Sequence, residues 1–226
     1  MVELSNARLP YFFDLLQPDS RWRVFKEFRG DVAYLDVETT GLSGPSDYIT
    51  TIAVYDGMNL YYYIHGRNLD DFAHDIARYA LVVTYNGSSF DLPFIRSRLG
   101  VPMTQPHIDL RQLLASLGHT GGQKECEKSL SLNRNSSLAG ANGLFAMGLW
   151  LDYLRGNQKA LDTLIAYNTL DVVNLERLMV RAYNLKIKDT PFAGSNLLSE
   201  PKDFPQSPHK PHKPTIDRLK RRYSWG

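Results

Sequence analysis

Tyr34-Leu35-Asp36-Val37-Glu38-Thr39-Thr40-Gly41 is the stretch that decides how the rest of the chain is read. An apolar run of strand character, Val32 to Leu35, delivers two carboxylates and then breaks into a glycine-containing turn. Side chains at i and i+2 of a strand share a face, so Asp36 and Glu38 point together from the end of a buried strand. Two such carboxylates repel by about 1 kcal/mol in water and about 4 kcal/mol at an effective dielectric of 20. A fold has reason to keep that pair when a cation sits between them. Taken alone, the same residues also suit a solvated strand end and its turn.

Outward from this stretch the pattern is regular. Tyr48 to Tyr55 and Leu60 to His65 are β-rich runs joined through Asp56-Gly57, which spells a hairpin. Residues 68–78 open on Asn68 and place Phe72, Ile76 and Ala77 at helical spacing. Leu81 to Tyr85 reads as a short buried strand, and Leu92 to Leu99 as a helix with Pro93 in its first turn and Gly100 as its stop. Ile108 to Leu110 suggests a further strand leading into a helix over 111–117. Residues 118–143 are rich in Gly, Ser and Asn around a helix at Lys124 to Leu130, and helical periodicity returns over 144–155 and 158–183. Antiparallel strands first, then alternating helices and strands, make a mixed sheet covered by helices.

The 226 residues carry a net charge of +2, too small to imply nucleic-acid binding by itself, and 43% hydrophobic content, ordinary for a globular chain. The single cysteine, Cys126, cannot form an internal disulfide, and its charged neighbours suggest a helix-surface thiol. No apolar run reaches the roughly 18 residues of a membrane span, and the N-terminus lacks a signal-peptide core, so a cytoplasmic protein without a membrane partner is expected. Residues 1–30 read as lead-in helices and 31–185 as the main domain. Residues 186–226 form a Pro-rich basic tail, extended or disordered. That tail suits phosphate contacts with Tyr223 or Trp225 stacking on bases, and equally a solvated tail or a strap for another subunit.

Two further elements carry carboxylates. Asp91 follows Tyr85-Asn86-Gly87-Ser88-Ser89-Phe90 where a helix begins, a position at which Asp serves as a cap worth about 1 kcal/mol. Tyr167 and Asp171 are i and i+4 on a long helix and share one face with a stripe of leucines. No Lys or Arg lies one turn from Asp171 on that face, so a buried Asp171 needs a partner from elsewhere, and a cation shared with Asp36 supplies one.

With Asp36-x-Glu38 on a strand, Asp91 at a strand–helix junction and Tyr167-x-x-x-Asp171 on a late helix, the sequence resembles the DEDD 3′–5′ exonucleases of the ribonuclease H-like superfamily. It is most similar to their tyrosine subclass and to the YprB-type family, over roughly residues 31–183. His107-Ile108-Asp109-Leu110 and Gly121-Gly122-Gln123-Lys124-Glu125-Cys126 add to the match. The histidine of the sister subclass would fall at Ala166, and Gln123 stands where the family has a large apolar residue.

The resemblance implies an α/β ribonuclease H-like fold, a five-stranded mixed sheet of three antiparallel strands followed by parallel ones, flanked by helices. It implies two divalent ions, Mg²⁺ or Mn²⁺, held by Asp36, Glu38, Asp91 and Asp171 about 3.5–4 Å apart, with Tyr167 orienting the attacking water. The implied partner is nucleic acid entered from its 3′ end, single-stranded DNA above all, released as 5′-mononucleotides. Thr39, Gly41, Leu42, Asn86 and Phe90 would meet the terminal nucleotide, although Leu42 and Phe90 suit a plain core equally well. His107 reads as a packed, hydrogen-bonded histidine and Lys124 as a helix-surface lysine. An inactive nucleic-acid-binding module and an RNA-directed nuclease use the same fold. The sequence does not set the oligomeric state.

Overall fold

The alternation of one strand sets the layers. In the computed structural model, which describes residues 9–42, 44–132, 138 and 141–222, β1 (Val32–Thr39) sends Val32 and Tyr34 to one side and Ala33, Leu35 and Val37 to the other. β2 (Ile49–Tyr55) and β4 (Leu81–Thr84) alternate the same way: Ala53, Tyr55, Leu81 and Val83 face one core, and Ile52, Val54 and Val82 the other. Among the described residues these strands join β3 (Leu60–Ile64) and β5 (His107–Asp109) in one five-stranded sheet of order β3-β2-β1-β4-β5. β1, β2 and β3 run antiparallel, while β4 and β5 lie parallel to β1. The fold is the mixed α/β sheet that the sequence implied.

β1 extends well past its apolar run, Val32 to Leu35. It continues to Thr39 because β2 keeps pairing with it, Asp36 opposite Ala53 and Glu38 opposite Thr51, with a register shift only between Glu38 and Thr39. Both carboxylates therefore stand on a hydrogen-bonded strand at the centre of the sheet.

Helix α8 (Gln158–Lys188) covers the Tyr34 side, burying Val172, Leu175, Leu178 and Met179 against it, and α7 (Gly143–Leu154) packs Leu149 and Trp150 on its first half. The opposite side is covered by α3 (Phe72–Ile76) and α4 (Asp91–Leu99) through Phe72, Ile76, Phe94 and Ile95. The expected helix over 68–78 is α-helical only across α3, its first turn being the 3-10 segment Leu69–Asp71. α5 (Leu110–Ala115) and α6 (Gln123–Ser129) flank the parallel edge. The lead-in helices α1 (Leu9–Leu15) and α2 (Phe25–Phe28) bury Leu9, Phe13, Phe25 and Phe28 in the core shared with α8, and Trp22 packs edge-on against Tyr183 at 5.3 Å.

The C-terminal segment differs from its sequence reading. After the short α9 (Ala193–Asn196), residues 197–212 run without regular structure, but Lys213–Arg222 form α10. Pro214 falls in the first turn, where a proline removes no helical hydrogen bond, and Ile216 and Leu219, three apart on one face, are buried against α7 and α8. Tyr223 and Trp225 lie outside the described residues. Among the described residues no helix is long and apolar enough to cross a membrane.

Candidate active site

The strand period brings Asp36 and Glu38 to the face of the sheet that α8 covers, and the helix period aims Tyr167 and Asp171 back at them. Asp36, Glu38 and Asp171 each offer a carboxylate oxygen, and the three oxygens lie within 4.8 Å of one another. Asn168, between the two α8 residues, donates its amide to Asp36 Oδ2 at 2.5 Å and accepts from Thr51 Oγ1 at 3.3 Å, tying the helix to two strands.

Asp91 reaches the same place from the other side of β1. It is the first residue of α4, but its side chain does not cap that helix; Oδ1 accepts the Val37 N–H at 2.9 Å instead. β4 pairs with β1 only as far as Tyr34 opposite Val83, so Asp91 takes over as the lateral partner of β1 beyond that point. A cavity of about 510 Å³ opens over the four acids, lined also by Asn86, Phe90, Lys124, Asn142 and Tyr167.

Burial makes this an uncomfortable set of acids. Desolvation, followed by the charges of Asp171, Glu38 and Asp91, holds the Asp36 carboxyl well above the usual range, and only the Asn168 hydrogen bond opposes it. Burial and the Asp171 charge likewise raise Glu38, against the pull of the Lys124 ammonium. Burial lifts Asp91 to about 7 despite the backbone N–H groups it accepts. The set is all oxygen, with no thiolate or imidazole, and its spacing brackets an ion with metal–oxygen distances of roughly 2.0–2.6 Å, so it fits Mg²⁺, Mn²⁺ or Ca²⁺ chemistry.

Lys124 belongs to the site rather than to a solvated helix surface. Its Nζ donates to Tyr167 Oη at 3.1 Å and lies 4.7 Å from the ring centroid. Gln123, the departure from the family pattern, donates to the Asp171 carbonyl at 2.9 Å and to Glu127 Oε1 at 3.0 Å, so an amide pins the start of α6 to α8. Cys126 on the same helix is buried, against expectation, with Sγ 3.2 Å from Tyr85 Oη.

The sequence signature of a family described as RNase_H superfamily (RNase_H_2) matches residues 33–183, two thirds of the chain. The chain belongs to the RNase H superfamily. Its membership supports a nuclease acting on nucleic acid, and the buried acids fit the divalent metals such enzymes use. No curated protein matches this chain in sequence. Among solved structures, a family B DNA polymerase from the hyperthermophilic archaeon Pyrobaculum calidifontis is similar in fold, with a TM-score of 0.52 at 16% identity. The likeness covers 70% of this chain but 24% of the polymerase chain, so the chain spans about a quarter of that relative.

The remaining sequence candidates divide. Asn86 and Phe90 line the cavity, whereas Thr39, Gly41 and Leu42 do not. Thr39 is buried and donates its hydroxyl to the Gly41 carbonyl at 2.5 Å, and Leu42 is 80% exposed on the loop beyond. His107 is packed: its ring meets Thr84 Oγ1 at 2.9 Å, and burial lowers it to about 4, with Asp109 opposing.

The loop that supplies Asn86 and Phe90 is shaped by Asp109, whose carboxylate accepts Asn86 N at 2.8 Å, Ser88 N at 3.1 Å and the Ser88 hydroxyl. Asn86 adopts a left-handed backbone (φ 64°), and Gly87 follows it against the fully buried Thr84. A Cβ at Gly87 would overlap the Thr84 side chain. Gly87→Ala should therefore destabilise the fold by about 1–3 kcal/mol, read as a lower melting temperature. A melting temperature equal to that of the unaltered chain would show that the turn tolerates a side chain.

Proposed function

We propose that this chain is a metal-dependent 3′–5′ exonuclease of the tyrosine subclass, related to the YprB-type family, that hydrolyses single-stranded DNA to 5′-mononucleotides. The observation that carries the reading is the convergence of Asp36, Glu38 and Asp171 within 4.8 Å, with Tyr167 one turn before Asp171 on the same helix face. Asp36, Glu38 and Asp171, with Asp91 through water, would hold two divalent ions, Mg²⁺ or Mn²⁺, which supply Lewis-acid stabilisation of the entering and leaving oxygens of an in-line displacement.

The chain's own groups do the rest. Tyr167 directs its hydroxyl into the cavity and orients the water that attacks phosphorus. The water's oxygen bonds to phosphorus as the P–O3′ bond to the penultimate nucleotide breaks; the water gives its proton to solvent, and O3′ takes one from solvent to leave as the new 3′-hydroxyl. A phenol is a weak base at neutral pH, so the role given to Tyr167 is to position the water rather than to take its proton. The Lys124 ammonium fixes the phenol and places positive charge where the phosphate arrives. Phe90 offers a ring to the terminal base, and Asn86, its Oδ1 held by Arg111 at 2.7 Å, offers a fixed amide.

Tyr167→Phe should lower kcat about 10²-fold with a melting temperature near that of the unaltered chain, read from initial rates under saturating oligonucleotide. Undiminished kcat would remove Tyr167 from the reaction. The proposal as a whole is tested by digesting 5′-labelled single-stranded DNA and RNA in parallel with Mn²⁺. A ladder shortening from the 3′ end supports it, and preference for RNA would reassign the substrate. Cleavage of circular or end-blocked strands, or full activity in excess EDTA, would overturn it.

A further inference from the structure

Helix α4 begins in the acidic cavity with Asp91 and ends at a second groove with Arg98. That groove, of about 510 Å³, is also lined by Tyr48, His65 and Arg67, with Asp70 as its one acid. It occupies the same end of the sheet as the acids: Thr39, next to Glu38 on β1, pairs with Ile49, which follows Tyr48. The seven steps from Asp91 to Arg98 rise about 10 Å along the helix, a distance on the scale of a few nucleotides of a strand.

The lining is built for phosphates and bases. The Tyr48 and His65 rings stack with centroids 4.4 Å apart and planes 34° from parallel, and Trp150 Nε1 fixes the tyrosine by donating to its hydroxyl at 3.0 Å. The Arg67 guanidinium donates to Tyr153 Oη at 3.0 Å and Gln158 Oε1 at 3.1 Å. Arg98 donates to the carbonyls of Gly44 at 2.7 Å and Pro45 at 3.3 Å. All of these partners are neutral, so both exposed guanidiniums are oriented without being neutralised. Among the described residues neither forms an ion pair with a carboxylate. Forked guanidiniums bind phosphate oxygens, and an aromatic stack accepts bases only when they are unpaired.

We propose that this groove binds single-stranded nucleic acid a few nucleotides upstream of the end held in the acidic cavity, with Arg67 and Arg98 on phosphates and the Tyr48–His65 pair as the stacking platform. Its place upstream rests on the exonuclease reading; its affinity for single strands does not, so binding is measured in EDTA, where hydrolysis plays no part. Fluorescence anisotropy of a 5′-labelled dT 12-mer and a dT 3-mer, titrated with the full chain at salt from 50 to 200 mM, is the test.

Arg67→Ala/Arg98→Ala should weaken 12-mer binding about tenfold at 0.1 M salt and reduce the slope of log K against log salt by about 1.4, roughly 0.7 for each lost phosphate contact on a single strand. The preference for the 12-mer over the 3-mer should shrink accordingly. Because Arg98 also holds the 44–45 loop, Arg67→Ala alone is the companion variant, with a slope reduced by about 0.7. His65→Ala should weaken binding about fivefold through lost stacking. Unchanged 12-mer affinity and slope in Arg67→Ala would overturn the proposal, as would equally tight, equally arginine-dependent binding of a 12-base-pair duplex. Slope changes in a chain that hydrolyses nothing would sink the exonuclease reading and leave the groove standing.

Discussion

Asp36→Ala should lower kcat for mononucleotide release by about 10³-fold or more while leaving the chain folded. Metal-held stabilisation of a phosphodiester transition state is worth several kcal/mol, and each 1.36 kcal/mol is a factor of about ten in rate. Asp36 is the acid on which the charges of Glu38, Asp91 and Asp171 all bear, so its loss removes the centre of the donor set. Ala at this position takes one acceptor from the Asn168 amide but also removes a carboxylate whose burial among three acids is a liability without a cation. Asp36→Asn sharpens the point: its oxygen can still accept from Asn168, the repulsion is gone, and the metal-free chain should melt several degrees higher. A kcat within tenfold of the unaltered chain would refute the first expectation. A clear fall in melting temperature for the asparagine variant would mean that the acids are paired within the protein.

The second large effect is on the pH dependence of stability without metal. Burial raises Asp36 and Glu38 well above their unfolded values, and Asp91 from 3.8 to about 7. The folded chain thus binds these protons more tightly than the unfolded chain. The resulting stabilisation is complete below the unfolded values and is lost as pH rises through the folded ones. His107 acts in the opposite direction. Its folded value near 4 against an unfolded value near 6.5 adds stability as pH climbs to about 6.5 and nothing above it.

The window that isolates the acids is therefore pH 6.5 to 8.5. In EDTA the chain should lose stability across it, about 1 kcal/mol from Asp91 alone, with Asp36 and Glu38 adding in the same direction; Asp91 alone lowers the melting temperature by roughly 2–4 °C for a chain of this size. Millimolar Mg²⁺ or Mn²⁺, which binds the ionised set, should flatten the curve; an ion at a hundred times its Kd adds about 2.7 kcal/mol. Differential scanning fluorimetry at matched ionic strength reads both. A melting temperature that climbs through this window in EDTA, or that ignores added metal, would contradict the charge arrangement described above.

What could be read from the sequence is what depends on local period. The i, i+2 geometry of Asp36 and Glu38 and the i, i+4 geometry of Tyr167 and Asp171 need no knowledge of the fold, and both hold. What could not be read depends on partners distant in the chain. β1 runs on to Thr39 because β2 pairs with it, and Asp91 forgoes the cap position because β4 stops pairing at Tyr34. Gln123-Lys124-Glu125-Cys126-Glu127-Lys128 is polar nearly all round, so its own sequence does not say which side of α6 turns inward; packing buries Cys126 and brings Lys124 to Tyr167. Thr39, Gly41 and Leu42 follow the acids directly, but they are not among the residues that line the cavity. The prolines of the tail suggest an extended or disordered segment, but Pro214 occupies the one turn of a helix that accepts it.

The C-terminal segment is stitched along the outer side of the longest helix: Leu198 exchanges two hydrogen bonds with Asn184, Phe204 leans on Tyr55, His209 meets Asp162, and Ile216 and Leu219 close over α7. The recognised family boundary falls at residue 183, before any of this. A nascent chain that has emerged only that far still shows the ribosome exit and its attendant chaperones a strip of greasy surface. An excised 33–183 fragment, stripped of those covering residues, should be less soluble than the full chain, read as stronger light scattering at equal concentration.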